Sequence, residues 1–183
     1  MLKAAKEYKG GSIIFLSPGI YGVGKTHLAA AIANRLLAQD PTTTHSLSGA
    51  TIMKPCPAHF VTESKLLAAI RDTYNTPGAS EESVYQQVAV PKLLIIDDVG
   101  KVRPRDYSHL QGVYFRIIDK RYTTGKNVIL TTNLTMQQLE QHIGGASADR
   151  LCEMVPRTGY INFAGSGMRG YYYSHKDGQK STG

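Results

Sequence analysis

Three glycines, a lysine and a threonine stand where an apolar run gives way to a helix-like one. "SIIFL" (Ser12 to Leu16) leads into "GIYGVGKT" (Gly19 to Thr26), which opens into "HLAAAIANRLL". A simple turn needs one glycine or two. This spacing instead fits G-x-x-x-x-G-K-[ST], a loop that cradles phosphate. Its glycines let the backbone curl so that successive N–H groups point inward. The helix that follows adds free N–H groups and the positive end of its dipole. In that setting Lys25 supplies a point charge for β- and γ-phosphates, and the Thr26 hydroxyl a ligand for Mg²⁺. The expected nucleotide contacts are Gly19, Ile20, Tyr21, Gly22, Val23, Gly24, Lys25, Thr26 and His27. A glycine-rich turn with a chance lysine is the bland alternative, and the strand before and helix after speak against it.

Such a loop must join a strand to a helix, and the rest of the chain agrees. Gly24 to Ala38 has Leu28, Ala31, Ile32 and Leu36 on one helical face. "HFV" reads as a short strand, and Thr62 can cap the helix "ESKLLAAIRDTY". "EESVYQQVAV" reads as a helix, "KLLIIDD" as a strand, Tyr107 to Tyr122 as a helix, and "NVILTTN" as a strand. "TMQQLEQHI" is expected to be helical, "GGAS" to break it, "ADRLCEM" to resume it, and "GYINFAG" to form a last strand. The strands are apolar throughout rather than alternating, which describes a parallel sheet covered on both faces. Residues 39–58, polar and proline-containing, read as a loop or insertion. The expected boundaries are a lead-in at 1–11, one nucleotide-binding domain at 12–170 and a polar tail at 171–183.

Ligands of such sheets bind at the carboxyl ends of the strands, and polar residues gather there. Asp97 ends "LLIID" and can hold the metal; Asp98 beside it can deprotonate water. Asn133 ends "TTN" and can reach the γ-phosphate or the attacking water. Alone, each would be an ordinary turn residue. His45, Cys56 and His59 do not have the paired spacing of a zinc set.

The chain has 183 residues, enough for one core, and no apolar run that would span a bilayer. Its two cysteines form no CxxC pair, and its first residues lack the apolar centre of a secretion signal, so a cytoplasmic setting with no membrane partner is expected. The net charge of +7, from 21 basic and 14 acidic residues, favours polyanionic partners.

The stretches "GIYGVGKTHLAAAIANRLL", "FVTESKLLAAIRDTY", "LLIIDDVGK", "YFRIIDKRY", "VILTTNL" and "ADRL…YINF…MR" together resemble the AAA+ ATPases of the DnaC/DnaI helicase-loader and IstB transposition-helper group. The resemblance runs from about Ile13 to Arg169. It implies an α/β P-loop core with a five-stranded parallel sheet in the order 5-1-4-3-2 and helices on both faces. About 50 residues follow Asn133, so a reduced or absent helical lid is expected. The resemblance makes Lys25 and Thr26 Walker A, Asp97 and Asp98 Walker B, and Asn133 sensor 1. It makes Arg150 the arginine finger that reaches a neighbouring subunit's ATP, and Arg169 the sensor 2 arginine. It implies an ATPase using ATP and Mg²⁺, acting in DNA replication by assembling on single-stranded DNA, a replicative helicase, or both. The alternatives are a transposition helper working with a transposase on duplex DNA, and a nucleotide-gated adaptor with little hydrolysis. Most AAA+ proteins have Glu where this chain has Asp98, and the shorter arm implies slow turnover.

For DNA, the candidate phosphate contacts are Lys101, Arg103, Arg105, Lys120 and Arg121, with Lys126 nearby. Tyr171, Tyr172 and Tyr173 could stack on bases.

Overall fold

The computed structural model describes residues 7–39, 43–45, 51–53 and 56–163. Its order is β1 (Ile13–Leu16), α1 (Lys25–Gln39), β2 (Thr43–His45), β3 (Thr51–Met53), β4 (Ala58–Thr62), α2 (Glu63–Thr73), α3 (Glu81–Ala89), β5 (Leu93–Val99), α4 (Tyr107–Thr123), β6 (Asn127–Thr132), α5 (Met136–Ile143), α6 (Gly145–Met154), a 3₁₀ turn (Arg157–Gly159) and β7 (Tyr160–Asn162).

Five strands form one sheet in the order β4-β5-β6-β1-β7, and every pairing is parallel. Counted within the sheet that is 2-3-4-1-5, the expected 5-1-4-3-2 read from the other edge. β2 and β3 pair antiparallel as a separate hairpin. Part of the segment expected as a loop or insertion is therefore regular structure.

The apolar strands are buried on both faces because side chains alternate across the sheet. Ile14, Leu16, Leu94, Ile96, Val128 and Leu130 point to one side and pack with α2 to α6 through residues such as Leu66, Val88, Tyr114, Leu139 and Leu151. Phe15, Leu93, Ile95 and Ile129 point to the other and meet Leu28, Ala29, Ile32 and Ala33 of α1. Ile95 is fully buried in the middle strands, where each such side chain contributes about 1.5–3 kcal/mol. Among the described helices, α1 is the one that packs on this face, through Leu28, Ala29, Ile32 and Ala33, and this sets where the loop before it meets the sheet edge.

The helix ends follow their capping chemistry. Thr62 accepts a hydrogen bond from Lys65 N at 3.3 Å, starting α2 where expected. Thr135 and Gln138 form a reciprocal capping box at the start of α5. The break expected over "GGAS" is narrower than that stretch. Gly144 alone leaves the helical region, at φ 87°, and its carbonyl accepts from Ala148 N at 3.0 Å, so α6 begins at once.

Candidate functional site

β1, β5 and β6 are neighbours and run parallel, so their carboxyl ends share one edge. The loop Gly19–Gly24 leaves that edge from β1, and Gly24 takes φ 94°, a region an L side chain would resist. Gly19 N donates to Asn133 O at 3.2 Å, tying the loop to the end of β6.

Lys25 is buried, and its ammonium donates to Ser17 Oγ and, at 2.5 Å, to Asn133 Oδ1. Burial pushes it below its ordinary value; the Asp98 and Asp97 charges pull it partly back. Among the described residues the hydrogen-bond acceptors of this poorly solvated cation are neutral oxygens, which suits it to an incoming anion. Thr26 Oγ1 stands 2.9 and 3.1 Å from the two carboxylate oxygens of Asp97. Thr131 Oγ1 donates to Asp97 Oδ1 at 2.6 Å and fixes that carboxylate from the neighbouring strand.

The two acids do not sit on a regular strand. The β5–β6 register shifts between Ile96 and Val99, and Asp98 lies at φ 61°, the one described non-glycine residue in the left-handed region. A bulge of this kind turns adjacent side chains away from strict alternation. Asp97 is buried against Thr26 and Thr131, while Asp98 is partly exposed and pairs with the Lys101 ammonium at 2.5 Å. Asp98 N donates to Thr131 Oγ1 at 2.9 Å, so one threonine orients both acids.

Lys25, Thr26, Asp97, Asp98 and Asn133 are thus brought together. Arg150 is not. Its guanidinium pairs with Asp119 at 2.8 Å and lies over the Phe115 ring at 4.8 Å, on the α4–α6 surface. Arg169 and Tyr171 to Tyr173 lie outside the described residues.

The basic candidates divide. Arg103, Arg105 and Lys120 are exposed, and Lys101 is exposed but engaged with Asp98. Arg121 is a correction. It is fully buried, and its guanidinium donates to the carbonyls of Val88, Pro91, Lys92 and Asn127 at 2.6–3.1 Å. Desolvation pushes it down to about 10. It clamps the ends of α3 and the starts of β5 and β6 and cannot reach a DNA phosphate. Lys126 is spent similarly, on the carbonyls of Ala89 and Val90, both at 2.8 Å.

Sequence reasoning missed three residues. Ser17 stands at the end of β1, where only its polarity after an apolar run could have marked it. Thr131 reads as one more strand threonine. Glu63 opens α2, where an acid suits the helix dipole, so nothing in its context signals that it is buried.

Residues 9–152 match the family described as IstB-like ATP binding protein. The replicative helicase loader DnaC of Escherichia coli (strain K12) is 28% identical over 146 residues, 80% of this chain and 53% of that protein. The chain spans about half the length of the curated relatives it matches. A crystal structure of the DnaC helicase loader has a TM-score of 0.64 at 19% identity, covering 89% of this chain and 86% of that one. A structure of the replication initiator DnaA bound to AMPPCP and single-stranded DNA has a TM-score of 0.64 at 16% identity, covering 95% and 47%. At these identities the structural likeness speaks for the fold.

Proposed function

Because the chain belongs to the IstB-like ATP-binding protein family, we propose that it is an Mg²⁺-dependent ATPase of DNA replication, of the DnaC helicase-loader type. The observation that carries the reading is the convergence of Lys25, Thr26, Asp97 and Asn133 where β1, β5 and β6 end.

In this reading the loop amides of Gly19–Thr26 and the α1 N-terminus hold the phosphates. Lys25 exchanges Ser17 and Asn133 for phosphate oxygens, which restores a full partner to a buried cation. The residues suit Mg²⁺: a hydroxyl and a carboxylate are both hard oxygen donors, and Thr26 and Asp97 already face each other. Bound there, the ion would neutralise charge on the β- and γ-phosphates. Asn133, freed from Lys25, orients the attacking water, and Asp98 accepts its proton once Lys101 releases the carboxylate. Arg150 belongs to a neighbouring subunit's site, where a planar always-charged group stabilises the transferring phosphoryl. Its position away from its own chain's Lys25 accords with action in trans. Arg169 is assigned the sensor 2 role from the resemblance.

The relatives' names supply the partner classes: a replicative helicase, from the DnaC loaders, and single-stranded DNA, from the DnaA neighbour. Exposed Arg103, Arg105 and Lys120, with Lys101, are the proposed phosphate contacts, and the basic surplus of the chain supports them.

Fluorescence anisotropy with labelled single-stranded and duplex DNA, with and without a non-hydrolysable ATP analogue, tests the reading. ATP-dependent preference for single strands that weakens steeply with salt is expected. Preference for duplex would move the assignment to a transposition helper. No binding in either state would leave a protein-directed, nucleotide-gated adaptor.

A further inference from the structure

The Glu63 carboxylate takes no part in the chemistry above, yet it is buried at 1% exposure and four groups from three other elements converge on it. Oε2 accepts from Gly100 N at 3.0 Å and Val102 N at 3.2 Å, in the loop that follows the two acids. Oε1 meets Tyr114 Oη of α4 and His142 Nε2 of α5, both at 2.6 Å. We propose that Glu63 is a positioning residue for ATP hydrolysis, its carboxylate setting the conformation of the loop that carries Asp98. The inference rests on the hydrolysis reading above.

A carboxylate offers about four lone-pair directions, and here all four are filled. Two backbone N–H groups and the phenol donate to it, and an ionised carboxylate shares Oε1 with His142 only through a protonated Nε2. Burial, and secondarily the Glu63 charge, push the Tyr114 phenol well above its ordinary value, so it stays a donor. The carboxylate therefore cannot rotate without losing a partner, and an unpaired buried donor is costly.

What it holds needs holding. Asp98 at φ 61° and Gly100 at φ 92° are bracketed in an uncommon backbone path. Gly100 and Val102 flank Lys101, the residue that grips the Asp98 carboxylate. On its other side Gly100 abuts Leu134, so closely that a Cβ would fall inside the leucine side chain. Leu134 follows Asn133 directly. Glu63 thus fixes the proton acceptor's loop against the loop of the water-orienting asparagine. Among the described residues its hydrogen-bond partners include neither the phosphate-binding loop nor Thr26, so nucleotide affinity and turnover should separate when it is changed.

The test measures ATP turnover, affinity for a fluorescent non-hydrolysable ATP analogue, and thermal unfolding, in the whole chain. Glu63→Ala is expected to lower turnover about tenfold or more while affinity stays within about threefold. Glu63→Gln is expected to recover turnover to within about threefold, because its carbonyl still accepts both backbone N–H groups while its amide donates to Tyr114 Oη and to Nε2 of the His142 ring in its Nδ1-protonated tautomer. Wild-type turnover in folded Glu63→Ala overturns the proposal. So does a parallel loss of turnover and affinity, which general loosening would produce. Should Glu63→Ala fail to fold, His142→Leu removes one donor to Oε1. It is then expected to lower turnover about threefold at unchanged affinity, and unchanged turnover overturns the proposal. A wild-type chain that binds the analogue without turning ATP over removes the hydrolysis reading and this role together. Turnover that survives Glu63→Ala removes this role alone.

Discussion

Asp98 illustrates how much one side chain's surroundings decide. It is adjacent to Asp97 in sequence, but the bulge sends the two carboxylates to different surroundings. Asp97 is buried against Thr26 and Thr131, while Asp98 is left partly exposed beside Lys101. Replacing Asp98 by Asn should leave nucleotide affinity intact, since Lys25, Thr26 and Asp97 are untouched, and lower turnover by about 10²-fold or more, the scale of a lost general base. Unchanged turnover in that variant would remove Asp98 from the mechanism. A second single-residue effect concerns pH. The Tyr114 phenol titrates well above its ordinary value of 10.0 in the folded chain. Above about pH 10 the unfolded chain therefore releases a proton that the folded one keeps, and stability must fall as pH rises, by about 1.4 kcal/mol per pH unit for this group. Tyr8 and Tyr160, both pushed up to about 12 by burial, act in the same direction. Urea unfolding at pH 10 and 11 should show a shallower pH loss in Tyr114→Phe than in wild type.

Among the secondary-structure elements, α4 has two functions on its buried face. Its inward face packs Leu110, Val113, Tyr114, Ile117 and Ile118 into the core. Its last turn carries Arg121, which also points inward and closes four backbone carbonyls, from the end of α3, the turn before β5 and the start of β6. Few other side chains can serve that many acceptors at once, because the guanidinium has five donors in a fixed fork. Arg121→Met keeps the length and removes the donors. Each buried carbonyl left unpaired costs about 1–3 kcal/mol, so a loss of at least ~3 kcal/mol is expected. In a chain of this size that corresponds to about 6–12 °C of melting temperature. A melting point within ~2 °C of wild type would show that water replaces the guanidinium.

At the scale of the whole molecule, the proposed trans role of Arg150 can be tested by complementation between subunits. Its guanidinium sits on the α4–α6 surface with Asp119 and Phe115, away from Lys25 and Asp97 of its own chain. If turnover needs that group from a neighbour, Arg150→Ala alone and Lys25→Ala alone should each turn over ATP about 10²-fold more slowly, an arginine finger being worth at least that. Mixed together, the two variants should regain turnover, because an Arg150→Ala subunit supplies a working phosphate loop and a Lys25→Ala subunit an arginine. Absence of recovery at concentrations where wild type assembles would place Arg150 in a surface ion pair only.

How far the chain could be read in advance follows from which interactions are local. The phosphate loop is contiguous, so Gly19 to Thr26 announce themselves by spacing. The apolar runs and caps are equally local, which is why β1, β5, β6 and the start of α2 were legible. The +7 charge was also plain, but charge does not say where a side chain goes. Arg121 and Lys101 share the basic composition of Arg103, yet one is consumed by carbonyls and the other by Asp98. The Glu63 anchor joins residues 37 to 79 positions apart, so no window along the chain contains it. The local pattern therefore determined the fold class and the nucleotide loop, because both depend on near-neighbour geometry and periodicity. Folding in three dimensions decided which polar groups remained available, because burial and the completion of hydrogen bonds are settled by partners brought from distant segments.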